Sequence, residues 1–315
     1  MILIATYPPV PATLSDPNVT ASRFLTQPSF VARRLQTLGD LRYIGTSLLN
    51  GRMETNGGAV GYENVEAIFA DASPEIVAPG AEYKLTTIGD GPAGIARVTK
   101  WGQDTLITDE AIVRRNMDPV EKGMLKLVNS AAVAIDAAVI SVVASSITAT
   151  RPAAAPWTGS GGSTNPPKTL QDVLLAVAAV RGMNLGYDPN VLLVDDSTWA
   201  YLASDSVIAG AMAREAATNP IYTGRFGMLA GLQVIHAPAA NLPGGVGTNA
   251  WVLDSRQLGF IATENLGGGY QAAGDLIESK VLRLDENDAW RIRARANFVP
   301  VVTDAGAGFK ITGVA

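Results

Sequence analysis

The chain has 315 residues, of which 47% are hydrophobic and 17% charged, and its formal net charge at pH 7 is −5. This length and hydrophobic content suffice for one large or two modest domains with buried cores, which excludes a disordered protein. The chain contains no cysteine, so disulfides, thiolate metal sites and cysteine nucleophiles are excluded as well. The acidic balance argues against a protein whose main task is to grip nucleic acid phosphates, although loose contact remains open.

The proportion of charged residues is well below the usual quarter. A soluble monomer normally relies on surface charge to stay dispersed, so this low charge needs an explanation. One explanation is that other subunits cover much of the surface. The other is a genome that favours alanine and glycine, and composition alone leaves both open.

The chain is predicted to begin with an extended arm. Residues 1–21 are rich in proline and lack periodicity, and the opening MILIATYPPVPA has no basic region of the kind that starts a signal peptide. The spacing of apolar residues then predicts a short helix within Ser29–Leu49, interrupted near Gly39. The arm is therefore expected to become partly helical.

Residues 57–101 are predicted to form a long β-hairpin. The first strand is expected from about Ala59 to Phe69 and the second from about Glu82 to Thr99, with an irregular tip at SPEIVAPG (73–80). A two-stranded hairpin buries too little apolar surface to be stable alone in water. This hairpin must therefore lie on something else.

The stretch 108–146 is predicted to be helical, with two starts. Thr108 caps the first helix, and Asp118 with Pro119 and Glu121 marks the second. The second helix has an apolar stripe formed by Met124, Leu127, Val128, Ala131, Ile135, Ala138, Val139 and Val142. The polar residues assigned to the other side are Lys122, Lys126, Asn129 and Asp136.

The segment AAVAIDAAVISVVAS (131–145) of this helix is apolar enough to raise the question of a membrane span. Asp136 would then lie in the centre of the bilayer, at a cost of roughly 2.5 to 3.5 kcal/mol on insertion scales. The surrounding alanines compensate little, and the sequence offers no second span and no aromatic belt. The prediction is a buried helix, with no membrane among the partners.

Residues 150–168 form a loop rich in proline, glycine and serine, which is predicted to be a domain boundary. Beyond it follow a helix capped at Thr169, an apolar strand at 191–194 and a helix capped by Asp195, Asp196 and Ser197. This order predicts a mixed α/β domain with helices packed on a sheet. Two further strands are expected in AGLQVIHAP (230–238) and NAWVLDSRQLGFIAT (249–263).

The closing segment alternates between apolar and polar residues, as a half-buried strand does. One face carries Trp290, Ile292, Ala294, Ala296 and Phe298, and the outer face carries Arg291, Arg293, Arg295 and Asn297. Like charges on one strand face repel each other, so the arginine row (Arg291, Arg293 and Arg295) requires an acidic partner. Protein carboxylates are favoured over packaged DNA, and the candidates are Glu63, Glu66, Asp71, Glu75, Asp285, Glu286 and Asp288.

Little in the sequence indicates catalysis. His236 is the only histidine and is interpreted as structural. The run VLLVDD (191–196) has the pattern of a Mg²⁺-binding strand of nucleotide-binding enzymes, but no phosphate-binding loop accompanies it. Asp195 and Asp196 are therefore interpreted as helix caps, and no catalytic residue, cofactor or metal is predicted.

The order of these elements resembles the Hong Kong 97-type fold of tailed-phage major capsid proteins, over nearly the whole chain. The stretch EIVAPGAEYKLTTIGDGPAGIARVTKWGQDTLITDEAI (75–112) is similar to that family's extended loop and the strand that returns from it. TLQDVLLAVAAVRGMNLGYDPNVLLVDDSTWAYL (169–202) is similar to the opening of the axial domain. FGMLAGLQVIHAP (226–238) resembles a short strand after a small-residue turn.

The resemblance implies an α+β fold and a structural protein without enzymatic activity. Its expected parts are an N-terminal arm (1–56), an extended loop (57–100), a peripheral domain with a spine helix (101–168), an axial domain (169–280) and return strands of the peripheral domain (281–315). It further implies self-assembly into hexamers and pentamers of an icosahedral shell that encloses the double-stranded DNA of a tailed phage. The protein is then expected in the virion capsid, after assembly in the bacterial host cytoplasm.

The partners that the resemblance implies are further copies of the chain, a portal, decoration proteins in some members and packaged DNA bound without specificity. The arm is too short to include a fused scaffolding segment, so a separate scaffolding protein is expected unless such a segment was removed. The expected subunit contacts are Glu63, Glu66, Asp71, Glu75, Lys84, Arg291, Arg293 and Arg295. Some members crosslink a loop lysine to an asparagine of a neighbour, but no asparagine here, Asn297 included, can be matched to Lys84, so no crosslink is predicted.

Two alternatives remain. An encapsulin shares the fold but encloses cargo enzymes, and its usual signatures in the arm are not evident. An α/β enzyme would need convergent titratable side chains, whereas this sequence has one histidine, no thiol and no phosphate loop.

Overall fold

The computed structural model describes residues 21, 24–39, 44–64, 75–83, 85, 91–158, 168–205, 208, 228–238, 242, 248–274 and 276–315. They form two compact units whose segments alternate along the chain. Unit 1 draws on residues 1–42, 100–132 and 266–297, and unit 2 draws on residues 43–99, 133–265 and 298–315. Helices and sheets occur together in the described residues, which confirms the predicted α+β class.

The described helices are α1 (Pro28–Gly39), α2 (Gly45–Leu48), α3 (Asp109–Arg115), α4 (Asp118–Ser146), α5 (Thr169–Gly182) and α6 (Asp196–Ser204). The strands of the first half are β1 (Gly51–Glu54), β2 (Ala59–Glu63), β3 (Ala93–Arg97), β4 (Thr99–Thr108) and β5 (Thr150–Pro152). Those of the second half are β6 (Val191–Asp195), β7 (Met228–Leu229), β8 (Leu232–Ala237), β9 (Ala250–Leu253), β10 (Gly259–Thr263), β11 (Gln271–Ala272), β12 (Ile277–Leu284), β13 (Ala289–Val302) and β14 (Gly308–Thr312).

Unit 1 contains a sheet in the order β11, β12, β13, β4, in which β12 is antiparallel to both β11 and β13. Helix α1 packs against β11 and β12 and buries Val31 and Leu35. The beginning of α4 lies close to β4, where Gly123 is opposite Thr105 and Ile107. The sheet that carries the arginine row thus includes the strand that returns from the hairpin.

Unit 2 contains a six-stranded sheet in the order β5, β14, β9, β6, β8, β7. Every residue of β6 is buried, and β6 is parallel to β8 and antiparallel to β9. Helix α5 contacts β9 and β14, and α6 contacts β6 and β8. A strand covered in this way is expected to be a continuous apolar run, as VLLV is. The predicted mixed α/β arrangement of this region is therefore confirmed.

The hairpin strands β2 and β3 pair antiparallel within unit 2. Their base lies on a smaller sheet portion in which β1 is parallel to β10, and β10 is antiparallel to the end of β13. Val60 is buried there with Ala262 and Val301. The hairpin was predicted to need a supporting surface, and for its base the same chain supplies one in β10 and the end of β13.

Helix α4 is long and apolar enough to cross a membrane by length and composition alone. Many of its apolar side chains are buried within the protein, among them Met124, Ile135, Val139, Ile140 and Val143. The predicted cap before α3 is confirmed, because the Thr108 side chain accepts a hydrogen bond from the backbone N–H of Ala111.

Asp136 is the exception to the predicted pattern of α4. It is fully buried, and its Oδ1 accepts hydrogen bonds from the backbone N–H groups of Ile44 (3.0 Å) and Gly45 (2.8 Å). Its assignment to the polar outer side was wrong, because α2 covers that side of the helix. The close approach explains the glycine, since a Cβ on Gly45 would lie 3.0 Å from that of Val139.

Other boundaries also differ from the predictions. Thr169 is the first residue of α5 and not its cap, and its hydroxyl bonds to Asp205. The segment 249–263 contains two strands in place of one, and they belong to different sheets. Residues 81–83 are not in a strand. The domain bounds stay a prediction; unit 2 includes described residues on both sides of the 150–168 loop.

Candidate subunit-contact surface

The outer part of the hairpin, described at residues 75–83 and 85, exposes large apolar side chains. The exposed fractions of Ile76, Tyr83 and Leu85 are 105%, 82% and 93%, and Ile95 in strand β3 is 77% exposed. Single exposed apolar residues are normal on a protein surface, but several in one segment are typical of a surface that contacts another protein.

The hairpin base is shaped to lie on its own sheet. Tyr62 packs against the cluster around Val60, and Gly94 stands directly opposite Tyr62 in the strand pairing. A Cβ on Gly94 would lie 2.6 Å from the Tyr62 ring, so the ring occupies the space above the glycine. The base is therefore specified by packing, in contrast to the outer residues.

The predicted hairpin contacts are only partly described. Glu63 ends β2 and is exposed, and Glu75 is exposed near the outer apolar residues. Glu66, Asp71 and Lys84 lie outside the described residues. The two described carboxylates belong to unit 2, whereas the arginine row belongs to unit 1. Their role as subunit contacts stays a prediction.

The first two arginines of the row share one carboxylate of their own chain. Arg293 makes a bidentate pair with Asp104, with both N–O distances at 2.8 Å. Arg291 Nε lies 3.3 Å from Asp104 Oδ2. The hydrogen bond from Arg293 lowers the pKa of Asp104 below its ordinary value of 3.8, and Asp104 in turn raises the pKa of Arg293. Among the described residues, Arg291 and Arg293 share the single carboxylate of Asp104, so this end of the row carries more positive than negative charge.

Arg295 occupies a different environment. It is buried, its Nε donates to Glu278 Oε2 at 2.6 Å, and its Nη2 donates to the carbonyl of Gly267 at 2.7 Å. Its guanidinium also stacks on the Tyr270 ring, 3.5 Å from the centroid. The prediction of an exposed outer row was therefore wrong for Arg295 and also for Asn297, which is buried. The loop that contains Gly267 and Tyr270 covers the Arg295 side chain.

Within the described residues the row pairs with protein carboxylates, but Asp285 and Asp288 are not among them. The candidates in the hairpin stay a prediction. Asp285 and Asp288 pair with Arg283, which also makes a bidentate contact with Asp109. The actual partners, Asp104 and Glu278, were missed. Glu278 lies directly opposite Arg295 across the β12–β13 pairing, a relation that only the strand register reveals.

His236 is partly exposed, and its Nδ1 lies 2.6 Å from Asp196 Oδ1, with the Trp199 ring 5.3 Å away. Asp195 accepts a hydrogen bond from the N–H of Thr198 and caps α6 as predicted. Within the described residues, no group of three or more His, Cys, Asp or Glu side chains is arranged to hold a metal ion.

A family model described as phage capsid protein matches residues 93–311, more than half of the chain. The chain belongs to the phage capsid protein family. It is accordingly a structural protein of a capsid shell, as the resemblance implied. The comparison with curated proteins gives no match.

Solved structures share the fold of this capsid protein at low sequence identity. The capsid structure of the cyanophage P-SCSP1u is 12% identical, with a TM-score of 0.62, over 86% of this chain and 88% of that chain. A phage-related protein from Bordetella bronchiseptica RB50 is 13% identical, with a TM-score of 0.55, over 89% and 96% of the two chains. The SrpI encapsulin complex from Synechococcus elongatus PCC 7942 is 12% identical, with a TM-score of 0.53, over 84% and 85%. The fold is thus common to phage capsids and to an encapsulin.

Proposed function

We propose that the chain assembles into hexamers and pentamers of an icosahedral shell that encloses the double-stranded DNA of a tailed phage. The observation that carries this proposal is the exposure of the apolar side chains of Ile76, Tyr83, Leu85 and Ile95 in the hairpin. Burial of these side chains against a neighbouring copy would supply the hydrophobic contact that a stable closed assembly needs. The low proportion of charged residues agrees with a surface largely covered by other subunits.

The partners in this proposal are copies of the same chain, a separate scaffolding protein, a portal, decoration proteins and packaged DNA bound through non-specific contacts. No membrane, cofactor or metal takes part, and the protein has no enzymatic activity. Assembly takes place in the bacterial host cytoplasm. The hairpin carboxylates Glu63, Glu66, Asp71 and Glu75, together with Lys84, would face a neighbouring subunit.

The arginine row has a narrower role in this proposal than its sequence indicated. Arg295 is committed to Glu278 inside the subunit, whereas Arg291 and Arg293 remain partly exposed with one shared carboxylate. These two side chains are the part of the row that can attract an acidic segment of a neighbour, such as the hairpin with its surplus of glutamate and aspartate.

The experiment is electron microscopy of the purified chain, with sedimentation velocity on the same sample. Closed shells, or rings of five or six, are expected from the natural chain, alone or co-expressed with a scaffolding protein. The triple variant Ile76→Ser, Tyr83→Ser and Leu85→Ser should remain unassembled while its melting temperature is unchanged. Glu82→Ser, at an equally exposed polar position of the same hairpin, is the matched control and should assemble.

An encapsulin-type nanocompartment is the second candidate, because an encapsulin shares the fold. The contents of the purified shells separate the two. Double-stranded DNA in particles from infected or induced cells supports the phage capsid, whereas a co-purifying enzyme in shells without DNA supports the encapsulin. Chains that stay monomeric with every scaffold tested would contradict both.

A further inference from the structure

The hairpin begins after a four-residue turn within unit 2, Thr55–Gly58, which we name the hairpin junction. One side chain from outside the hairpin holds this turn. Glu264 Oε1 accepts hydrogen bonds from the backbone N–H groups of Gly57 (3.1 Å) and Gly58 (2.9 Å). Glu264 directly follows β10, on which the hairpin base is packed.

Further bonds tie the same turn to both neighbouring strands. The N–H of Thr55 donates to the carbonyl of Thr263 at 2.9 Å, and the Thr55 hydroxyl donates to the carbonyl of Ala59 at 2.8 Å. The N–H of Val98, between the two return strands, donates to the carbonyl of Gly58 at 2.9 Å. The entry and the exit of the hairpin therefore meet at the residues that Glu264 holds.

The two glycines are required by backbone conformation and not by space. Their φ angles are +108° at Gly57 and +76° at Gly58, a region that L side chains rarely adopt, although a Cβ at either position would meet no atom within 4 Å. This conformation turns two successive N–H groups toward one point. A carboxylate there accepts charge-assisted hydrogen bonds, which are stronger than those to a neutral acceptor.

We propose that Glu264 is a positioning residue that sets the direction of the hairpin relative to β10 and thereby the geometry of the assembled shell. Apolar packing also holds the base, where Tyr62, Ala96, Phe260 and Val299 pack against the buried Val60, Ala262 and Val301, but none of these residues belongs to the turn Thr55–Gly58. A small rotation at the junction displaces the outer residues by much more than the base. This inference rests on the proposed function, because it assumes that those outer residues contact a neighbouring subunit.

The first measurement concerns the unassembled full-length chain. In Glu264→Ala, hydrogen exchange at the amides of Gly57 and Gly58 should become about tenfold faster or more, because each loses a hydrogen bond to a charged group. Glu264→Gln keeps an acceptor oxygen and should retain most of the protection. Glu54→Gln is the matched control, since it changes an exposed carboxylate at the end of β1, and it should exchange like the natural chain.

The second measurement is electron microscopy of the same four proteins after assembly. Glu264→Ala should give particles of mixed diameter or open sheets, whereas Glu264→Gln and Glu54→Gln should give the uniform shells of the natural chain. A melting temperature close to that of the natural chain, together with altered particle geometry, is the signature of positioning and not of general destabilisation.

The inference is overturned if Glu264→Ala leaves the exchange of both glycines unchanged, or if it speeds exchange yet forms uniform shells of natural diameter. Its failure can be told apart from failure of the proposed function. If the natural chain forms shells and the triple serine variant of the outer hairpin also does, the hairpin contact is wrong. If the triple variant fails to assemble while Glu264→Ala assembles normally, only the role of Glu264 is wrong.

Discussion

The base and the outer part of the hairpin are continuous in sequence but differ in what supports them. At the base, Val60 is 7% exposed and packs on β10 and β13, whereas Ile76 and Leu85 in the outer part are exposed almost completely. The outer residues are no less apolar than those of the base. The difference shows that an apolar residue in a hairpin indicates a packing contact, but does not indicate whether its own chain or another chain supplies the packing partner.

The largest expected effect comes from placing a charge at the hairpin base, and the same change in the outer part is its comparison. Val60→Asp buries an unpaired carboxylate and should lower the free energy of unfolding by roughly 3 kcal/mol. The same change at Ile76 should alter it by less than about 0.5 kcal/mol, because that side chain is exposed. Urea unfolding of both variants measures the contrast. Equal losses would mean that the outer part is also supported within the subunit.

A second test concerns the segment that precedes the hairpin. Asp136→Ala leaves the partly buried N–H of Ile44 and the buried N–H of Gly45 without this acceptor, so we expect the free energy of unfolding to fall by about 2 kcal/mol. Asn129→Ala, at an exposed position of the same helix, is the control and should be nearly neutral. A similar small change in both variants, measured by thermal and urea unfolding, would refute a stabilising role of Asp136.

A third test compares two glycines of the hairpin strands. Gly94→Ala forces the Tyr62 ring to move and should destabilise the chain by about 1 kcal/mol. Gly61→Ala places its methyl group in open space and should be neutral or stabilising by up to about 1 kcal/mol. If the order of the two melting temperatures is reversed, the packing of Tyr62 over Gly94 is not what specifies the base.

The smallest effect concerns Asp104, in the strand that returns from the hairpin. Its pKa is lowered by the hydrogen bond from Arg293, so it contributes stability that is fully present above its unfolded pKa near 3.8. That contribution is lost as the pH falls through the lower folded pKa. Asp104→Asn should therefore reduce the loss of stability between about pH 5 and pH 2. Acid titrations of the natural chain and of Asp104→Asn, followed by circular dichroism, measure this difference. Unfolding curves that coincide over this pH range would contradict the prediction.

Sequence reasoning succeeded where a structure depends on neighbours in the chain. The caps at Thr108 and Asp195 and the apolar run of β6 follow from local chemistry, and the order of elements was enough to indicate the capsid fold. It failed where the decisive partner is distant. Asp136 bonds to Gly45 and Ile44, which precede it by 91 and 92 residues in the chain. Arg293 pairs with Asp104, which lies 189 residues earlier.

The candidate contact surface shows the same division. The alternation of apolar and polar residues identified the row of arginines. Their exposure, however, depends on a loop that covers Arg295 and leaves Arg291 partly exposed. The exposure of Tyr83 and Leu85 could not be read from the sequence, because apolar residues in a predicted strand are normally assigned to the inside. Ile76 was predicted to lie in the irregular tip, a pattern that does not show whether a side chain is buried. Asp104 was missed because the return strand was expected to end at Thr99.

Strand β14 has a consequence for synthesis of the protein in the cell. It lies inside the sheet of unit 2, between β5 and β9, yet it follows both of these strands in the chain and is therefore synthesised after them. Its pairing of Lys310 with Thr150 joins residues far apart in the chain, and such contacts form late in folding. A product truncated before Gly308 lacks an interior strand, so we expect only chains that extend past β14 to present their hairpin from a finished sheet, which keeps shorter products out of a growing shell.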